Sequence, residues 1–159
     1  MLALPLAQTI HDTPLPGPVM PLRCSLDYDS RFIRRKRLTT DCGHAFLVDF
    51  DKTISLDQGM ILRLSDSRFV EIRAKSEALS QVTGPDLLRL AWHIGNRHTP
   101  CQIEATRLLI QRDHVIEHMV LHLGGQVLHV TAPFTPEGGA YGFGRTHAHE
   151  HVHSTHHGQ

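Results

Sequence analysis

Short apolar segments alternate with turns rich in Asp and Gly throughout the first half of the chain. Apolar and polar residues partly alternate within these segments, as in HAFLVDF (44–50), GMILRLS (59–65) and RFVEIRA (68–74). A period of two is typical of strands with one buried face. The pattern therefore predicts a small all-β domain over residues 1–75, built as a sheet or a sandwich.

A helical period appears in the second half of the chain. Apolar residues recur at the spacing of an amphipathic helix at Leu87, Leu90, Ala91 and Ile94. The segment GPD (84–86) predicts the start of this helix, with Pro85 in its first turn and Asp86 at the positive end of the helix dipole. Gly95 and Asn96 predict its end, because both residues tolerate a left-handed backbone.

A second helix is predicted between Asp113, a natural N-cap, and the pair Gly124 and Gly125. Its apolar side consists of Val115, Ile116, Met119, Val120 and Leu123. Strand patterns flank the two helices at 77–83, at 102–111 (as one bent strand or two short ones) and at 126–134. The order β-α-β-β-α-β predicts a ferredoxin-like α+β domain over residues 76–146.

The apolar pattern disappears in the last segment, HAHEHVHSTHHGQ (147–159). This tail cannot bury enough apolar surface to fold, so it is predicted to be disordered. Its six histidines are His147, His149, His151, His153, His156 and His157. Alternate side chains of an extended segment share one face, and imidazole suits nickel(II), copper(II) and zinc(II). We therefore expect the tail to bind divalent metal.

Composition supports a metal-binding interpretation and argues against several other partners. Of the 14 histidines, 12 lie at or after His93, while Lys plus Arg equals Asp plus Glu at 16 each. A chain with no net charge lacks the excess of basic residues that is typical of proteins that bind nucleic acid or an acidic membrane surface. The basic run RFIRRKRL (31–38) is accordingly interpreted as a solvated strand face or a protein-docking surface, with a nucleic-acid patch as the weaker alternative.

Cysteine content and the first residues of the sequence indicate the cellular compartment of the protein. Cys24, Cys42 and Cys101 form no CxxC pair and are odd in number, which fits a reducing compartment. The segment MLALPLAQTI (1–10) lacks the basic region of a signal peptide, and prolines interrupt its apolar stretch. A cytoplasmic protein is expected.

Enzyme motifs are missing from the sequence. It contains no HExxH, GxSxG or GxxxxGK[ST], and Val152 occupies the place of the last histidine in an HxHxDH motif. No pair of Cys and His was recognised as a plausible nucleophile and base. A terminal tail cannot hold the rigid, open ligand set of a metal-dependent hydrolase, so a non-enzymatic role is predicted.

The histidines outside the tail allow two interpretations each. His114, His118 and His122 are spaced at i, i+4 and i+8, which places them on one exposed side of the second helix, as metal ligands or as a solvated face. His93 lies late in the first helix, away from its apolar stripe, and His98 follows the helix end as a loop residue. His11 and His44 fit ordinary solvated surface.

Three segments together resemble the urease accessory nickel metallochaperones. HIGNRHTPCQ (93–102) contains that family's GNRHxPxQ signature, and DHVIEHM (113–119) resembles the start of its second helix. APFTPEGGAYG (132–142) followed by a His-rich tail resembles its C-terminal end. The order and spacing of all three agree over residues 77–159.

The resemblance implies a β domain before a metal-binding domain, and a homodimer formed through the second domain. It implies that His98 of two subunits shares one nickel(II) ion, with His93 and His114 as peripheral metal-binding residues. Relatives that pair the equivalent of His114 with a second histidine have it where this chain has Arg112. The implied partners are an accessory GTPase and apo-urease. A nickel, zinc or copper buffer without a client is the alternative, followed by a protein-interaction module.

Overall fold

A computed structural model of the chain describes residues 3–11, 14–140 and 145. Within these residues the fold is mixed α+β, with two sheets and two α-helices. The strands are β1 (Leu6–His11), β2 (Leu22–Leu26), β3 (Phe32–Thr39), β4 (Ala45–Ser55), β5 (Ile61–Leu64), β6 (Phe69–Ala74), β7 (Ser76–Thr83), β8 (Cys101–Ile103), β9 (Leu108–Gln111) and β10 (Gln126–Pro133). The helices are α1 (Leu87–Asn96) and α2 (His114–His122), and Asp29–Arg31 form a short 3-10 helix. The predicted tail lies outside the described residues.

The first six strands form one sheet in the order β2-β6-β5-β1-β4-β3. The pairs β1–β4 and β2–β6 are parallel, and the other neighbours are antiparallel. Alternation along β4 buries Phe46, Val48 and Phe50 in the core of this sheet. The predicted all-β first half is thus a single mixed sheet.

The last four strands form the second sheet, in the order β10-β7-β9-β8 with every neighbouring pair antiparallel. The elements follow the predicted order β-α-β-β-α-β, and residues 102–111 contribute two short strands instead of one bent strand. Leu90 and Ile94 of α1 and Ile116 and Val120 of α2 are buried in one cluster with the sheet. The predicted apolar stripes therefore face the core.

Two details of the predicted helices were wrong. Val115 is 53% exposed, because it lies at the edge of the α2 stripe whose centre is Ile116 and Val120. Pro85 precedes the helix instead of occupying its first turn, since Asp86 itself is the N-cap and accepts a hydrogen bond from the Arg89 amide at 3.1 Å. An Asp at this position satisfies an amide that has no partner within the helix.

A third buried cluster joins the two sheets and consists of Tyr28, Leu79, Leu109 and Phe134. Arg31 is 2% exposed beside it and donates hydrogen bonds to the carbonyls of Leu56 and Phe134. The interpretation of the whole basic run as solvated is therefore wrong for Arg31, whose guanidinium satisfies backbone carbonyls of both halves. Residues 34–37 of the run are exposed on the edge strand β3.

His11 also departs from its prediction. Its ring is half-buried and lies 4.9 Å from the Phe69 ring, so it packs against the first sheet instead of being solvated. Among the described residues, neither helix is long and apolar enough to cross a membrane.

Candidate metal site

His98 lies just beyond α1 in a left-handed backbone conformation, with φ of 56°. Its amide donates to the Gly95 carbonyl at 2.9 Å, and the Thr99 amide donates to the Ile94 carbonyl at 3.4 Å. These two bonds form a Schellman motif, in which the left-handed position usually holds Gly. The sequence predicted the left-handed turn at Gly95 and Asn96, but both are helical; the turn falls at His98 because α1 continues through Asn96.

The end of α2 provides a comparison within the same chain. The Gly124 amide donates to the Leu121 carbonyl at 3.1 Å, and the Gly125 amide donates to the Val120 carbonyl at 2.9 Å. Gly124 has φ of 84° and occupies the same position of the same motif as His98. The chain thus uses Gly at one helix end and an exposed His at the other. Stability of the cap alone favours Gly at both.

His93 lies in the last turn of α1 and is half-buried. Its ring is 5.0 Å from the neighbouring Trp92 ring in an edge-on arrangement. Trp92 is 63% exposed, and Leu88, one turn earlier on the same side of α1, is 86% exposed. The helix that leads to His98 therefore presents a large apolar surface to solvent.

His114 is the first residue of α2 and is exposed. Asp113 precedes it and accepts hydrogen bonds from the amides of Val115 and Ile116 at 2.9 and 3.2 Å. The carboxylate of Asp113 is therefore occupied as a helix cap. His118 and His122 are exposed along α2, as predicted from their spacing.

The remaining histidine of the second half, His129 on β10, has a partner within the fold. Its Nε2 lies 3.1 Å from Glu117 Oε1, which also accepts a hydrogen bond from the buried Ser80 hydroxyl at 2.5 Å. Glu117 thereby links α2 to neighbouring strands β7 and β10. This cluster holds the helix on the sheet.

Within one chain the structure brings no large ligand set together. No group of three or more His, Cys, Asp or Glu side chains placed to hold a metal occurs in residues 3–11, 14–140 and 145. His98, His93 and His114 consequently do not form a three-ligand site in the single subunit. The six tail histidines lie outside the described residues.

Sequence reasoning missed one pair of ligand side chains. Cys42 Sγ lies 3.2 Å from His44 Nδ1 in the exposed turn between β3 and β4. Hydrogen bonds with Thr40 and His44 lower the pKa of the Cys42 thiol. A contact between a Cys and a His was not expected from the sequence. The spacing Cys-Gly-His in a turn was the available signal, because such a turn places side chains two residues apart on one side.

Comparison with known proteins identifies relatives for both halves of the chain. Residues 21–75 match the N-terminal domain of the UreE urease accessory proteins, and residues 70–159 match their C-terminal domain. The chain is 61% identical over 129 residues to urease accessory protein UreE of Ruegeria pomeroyi, covering 81% of this chain and 87% of the relative.

Two further relatives have the same name. The chain is 60% identical over 126 residues to urease accessory protein UreE of Cereibacter sphaeroides, covering 79% of this chain and 69% of the relative. It is 54% identical over 131 residues to the protein of that name from Paracoccus denitrificans, covering 82% of this chain and 83% of the relative.

Proposed function

Because this chain belongs to the UreE family of urease accessory proteins, we propose that it binds nickel(II) and delivers it to apo-urease during assembly of the urease metal centre. In this proposal residues 1–75 form a partner-binding domain and residues 76–146 form a ferredoxin-like metal-binding and dimerisation domain. Residues 147–159 collect metal ions.

The backbone of His98 is the observation that carries the proposal. A left-handed non-glycine residue is costly and persists where the surrounding structure enforces it, often at functional sites. Here the Schellman hydrogen bonds hold His98 past the helix end, where its imidazole is exposed. Two such imidazoles, one from each subunit, would meet at a two-fold axis and supply two ligands from one residue.

The apolar surface of α1 supports a dimer formed through the second domain. Leu88 and Trp92 are exposed by 86% and 63% and lie four residues apart, so they share one face of the helix. Large exposed apolar side chains next to one another mark interaction surfaces, and Trp is enriched at their centres. A second copy of this helix would cover them and bring its own His98 near the same axis.

A site of this kind suits a carrier. Affinity for divalent ions rises from nickel to copper, so affinity alone cannot select nickel(II), and a carrier must also release its ion. Two imidazoles at an exposed subunit boundary leave coordination positions open for tail histidines or for an acceptor. His93 and His114 would act as peripheral ligands, and zinc(II) or copper(II) would bind the same imidazoles in vitro.

The family name supports urease as the client, and the resemblance implies an accessory GTPase as a further partner. The proposed receiver is the assembly complex of apo-urease with an accessory GTPase, in the cytoplasm, and the chain itself catalyses no reaction. A metal buffer would need many ions and no client. Delivery instead requires both His98 and a client, which separates the two functions experimentally.

The test compares the full chain, a chain ending at Arg145 and the His98→Gly form of each. Ending at Arg145 keeps the hydrogen bond from its guanidinium to the Tyr28 carbonyl. Calorimetric nickel titration should give several ions per dimer for the full chain and about one strong site per dimer for the shortened chain. His98→Gly should remove that strong site and lower urease activation in vitro with purified accessory proteins.

Two outcomes would contradict the proposal. A shortened chain that binds no nickel would exclude the shared site, because no tail imidazole could then mask it. Full urease activation by the His98→Gly chain would show that delivery does not pass through His98. His122→Gln is the control, since His122 is exposed on α2 and should leave both measurements unchanged.

A further inference from the structure

Cys42 and His44 bring a sulfur and an imidazole nitrogen together at one end of the first sheet. They lie in the turn that joins β3 to β4, and both side chains are exposed. Cys42 Sγ and His44 Nδ1 are 3.2 Å apart. Thiolate and imidazole are both transition-metal ligands. An ion could reach this pair without any opening of the fold.

The turn is held rigidly by the buried Thr40. The Thr40 amide donates to the His44 carbonyl, the Gly43 amide donates to the Thr40 carbonyl, and the His44 amide donates to Thr40 Oγ1, each at 2.9 Å. Gly43 has φ of 93°, a conformation that glycine adopts without strain. The two ligands are therefore held in place before a metal binds, which reduces the ordering cost of binding.

The separation of the two atoms is that of a sulfur–nitrogen hydrogen bond, and it also fits cis coordination of one ion. With metal–sulfur and metal–nitrogen bonds of about 2.3 and 2.0 Å, cis ligands at a right angle are about 3.1 Å apart, and tetrahedral ligands about 3.5 Å apart. The observed 3.2 Å is close to the first value. Square-planar or tetragonal sites with this angle suit nickel(II) and copper(II) better than zinc(II).

We propose that Cys42 and His44 form an additional metal site, a cis thiolate–imidazole pair for nickel(II). The sulfur–metal bond replaces the S–H bond, the thiol proton passes to solvent, and no oxidation occurs. Water or a group from another molecule completes the coordination, because the described part of the chain adds no third His, Cys, Asp or Glu ligand. The neighbouring Asp41 is occupied, accepting from the Ser25 amide and hydroxyl at 2.9 and 2.7 Å.

This site lies outside the histidine set of the second domain, and the choice of nickel(II) as its ion rests on the proposed function. Cys24 and Cys101 do not compete for the ion as Cys42 does, because both are buried and burial raises the pKa of each thiol to about 11. Cys42 is exposed, so an ion in solvent can reach its sulfur.

The test is titration of the full chain with nickel chloride, followed by thiolate-to-nickel charge-transfer absorption in the near ultraviolet. Imidazole ligands do not produce this absorption, so the tail and His98 do not contribute to it. The band should reach a plateau at more than one nickel per chain, because the histidine sites also take up ions. It should vanish in Cys42→Ser and require about tenfold more nickel in His44→Gln. The matched control His122→Gln should titrate like the parent.

Three results would overturn the site: no band in the parent, a band that survives Cys42→Ser, or a His44→Gln titration identical to the parent. A measurement on the unmodified chain guards against a misfolded variant. Nickel should slow the alkylation of Cys42 by iodoacetamide, located by mass spectrometry. Alkylation at an unchanged rate would equally overturn the proposal.

Discussion

His98 has a left-handed backbone conformation that is costly for a residue other than glycine. Ser67 and His98 are the non-glycine residues with positive φ among those the structure describes. The left-handed conformation costs an L-residue about 1–2 kcal/mol. Gly124 ends α2 in the same motif without this cost. A histidine at such a position supports the proposed metal-binding role of its imidazole.

This comparison predicts an order of stability at the two helix ends. His98→Gly should be about 1 kcal/mol more stable than His98→Ala, because glycine adopts positive φ freely although it adds entropy to the unfolded chain. Gly124→Ala should lower the free energy of unfolding by about the same 1 kcal/mol. This loss comes from backbone strain alone, because no atom lies within 4 Å of the added Cβ. Urea denaturation measures all three free energies. A His98→Ala chain more stable than His98→Gly would contradict the strain at this position.

At the scale of elements, the two helices begin with caps of different strength. Asp86 accepts one amide hydrogen bond at the start of α1, at 3.1 Å. Asp113 accepts two at the start of α2, the shorter at 2.9 Å. Each cap satisfies amides that have no partner within the helix and so stabilises its first turn.

The second cap should therefore contribute more stability than the first. Asp113→Ala is expected to lower the free energy of unfolding by about 1–2 kcal/mol, and Asp86→Ala by about 0.5–1 kcal/mol. Asp113→Asn, which retains the acceptor oxygen, is the control and should lose only a few tenths of a kcal/mol. Equal losses for the two alanine variants in chemical denaturation would contradict the hydrogen-bond count as the cause.

At the scale of the whole molecule, the two halves are joined by a buried contact while one helix face remains open. Arg31 and Tyr28 from the first half meet Phe134 after the last strand, with the Tyr28 and Phe134 rings 5.2 Å apart. The most exposed apolar helix face among the described residues is that of Leu88 and Trp92 on α1. The first contact stabilises the subunit, and the second surface is available for another chain.

Polar substitution of that face should shift the association equilibrium. The double change Leu88→Gln and Trp92→Gln is expected to convert a dimer into monomers in sedimentation velocity, because each side chain loses roughly 2 kcal/mol of apolar burial per subunit. Leu128→Gln is the matched control, since Leu128 is 60% exposed on β10. A parent chain that is monomeric, or a double variant that remains dimeric, would exclude this face as the dimer interface.

The sequence by itself determined the elements whose signals are local. Period-two alternation predicted β4 to β6, and the stripe from Leu87 to Ile94 with the Asp113 cap predicted both helices, because side-chain spacing alone decides which face of an element is apolar. Family membership also followed from contiguous motifs, above all GNRHTPCQ at 95–102. The metal-binding roles assigned to His98, His93 and His114 stay predictions.

Other features depended on residues far apart in the sequence, and only the tertiary structure decided them. The parallel pairing of β1 with β4 and β2 with β6 has no local signal, because strand partners are chosen by long-range packing. Arg31 belongs to a basic run, yet it is buried because carbonyls of Leu56 and Phe134 accept its hydrogen bonds. The left-handed residue was predicted at Gly95 or Asn96 and is found at His98. Hydrogen bonds across the helix end, more than residue preference, fix where α1 stops.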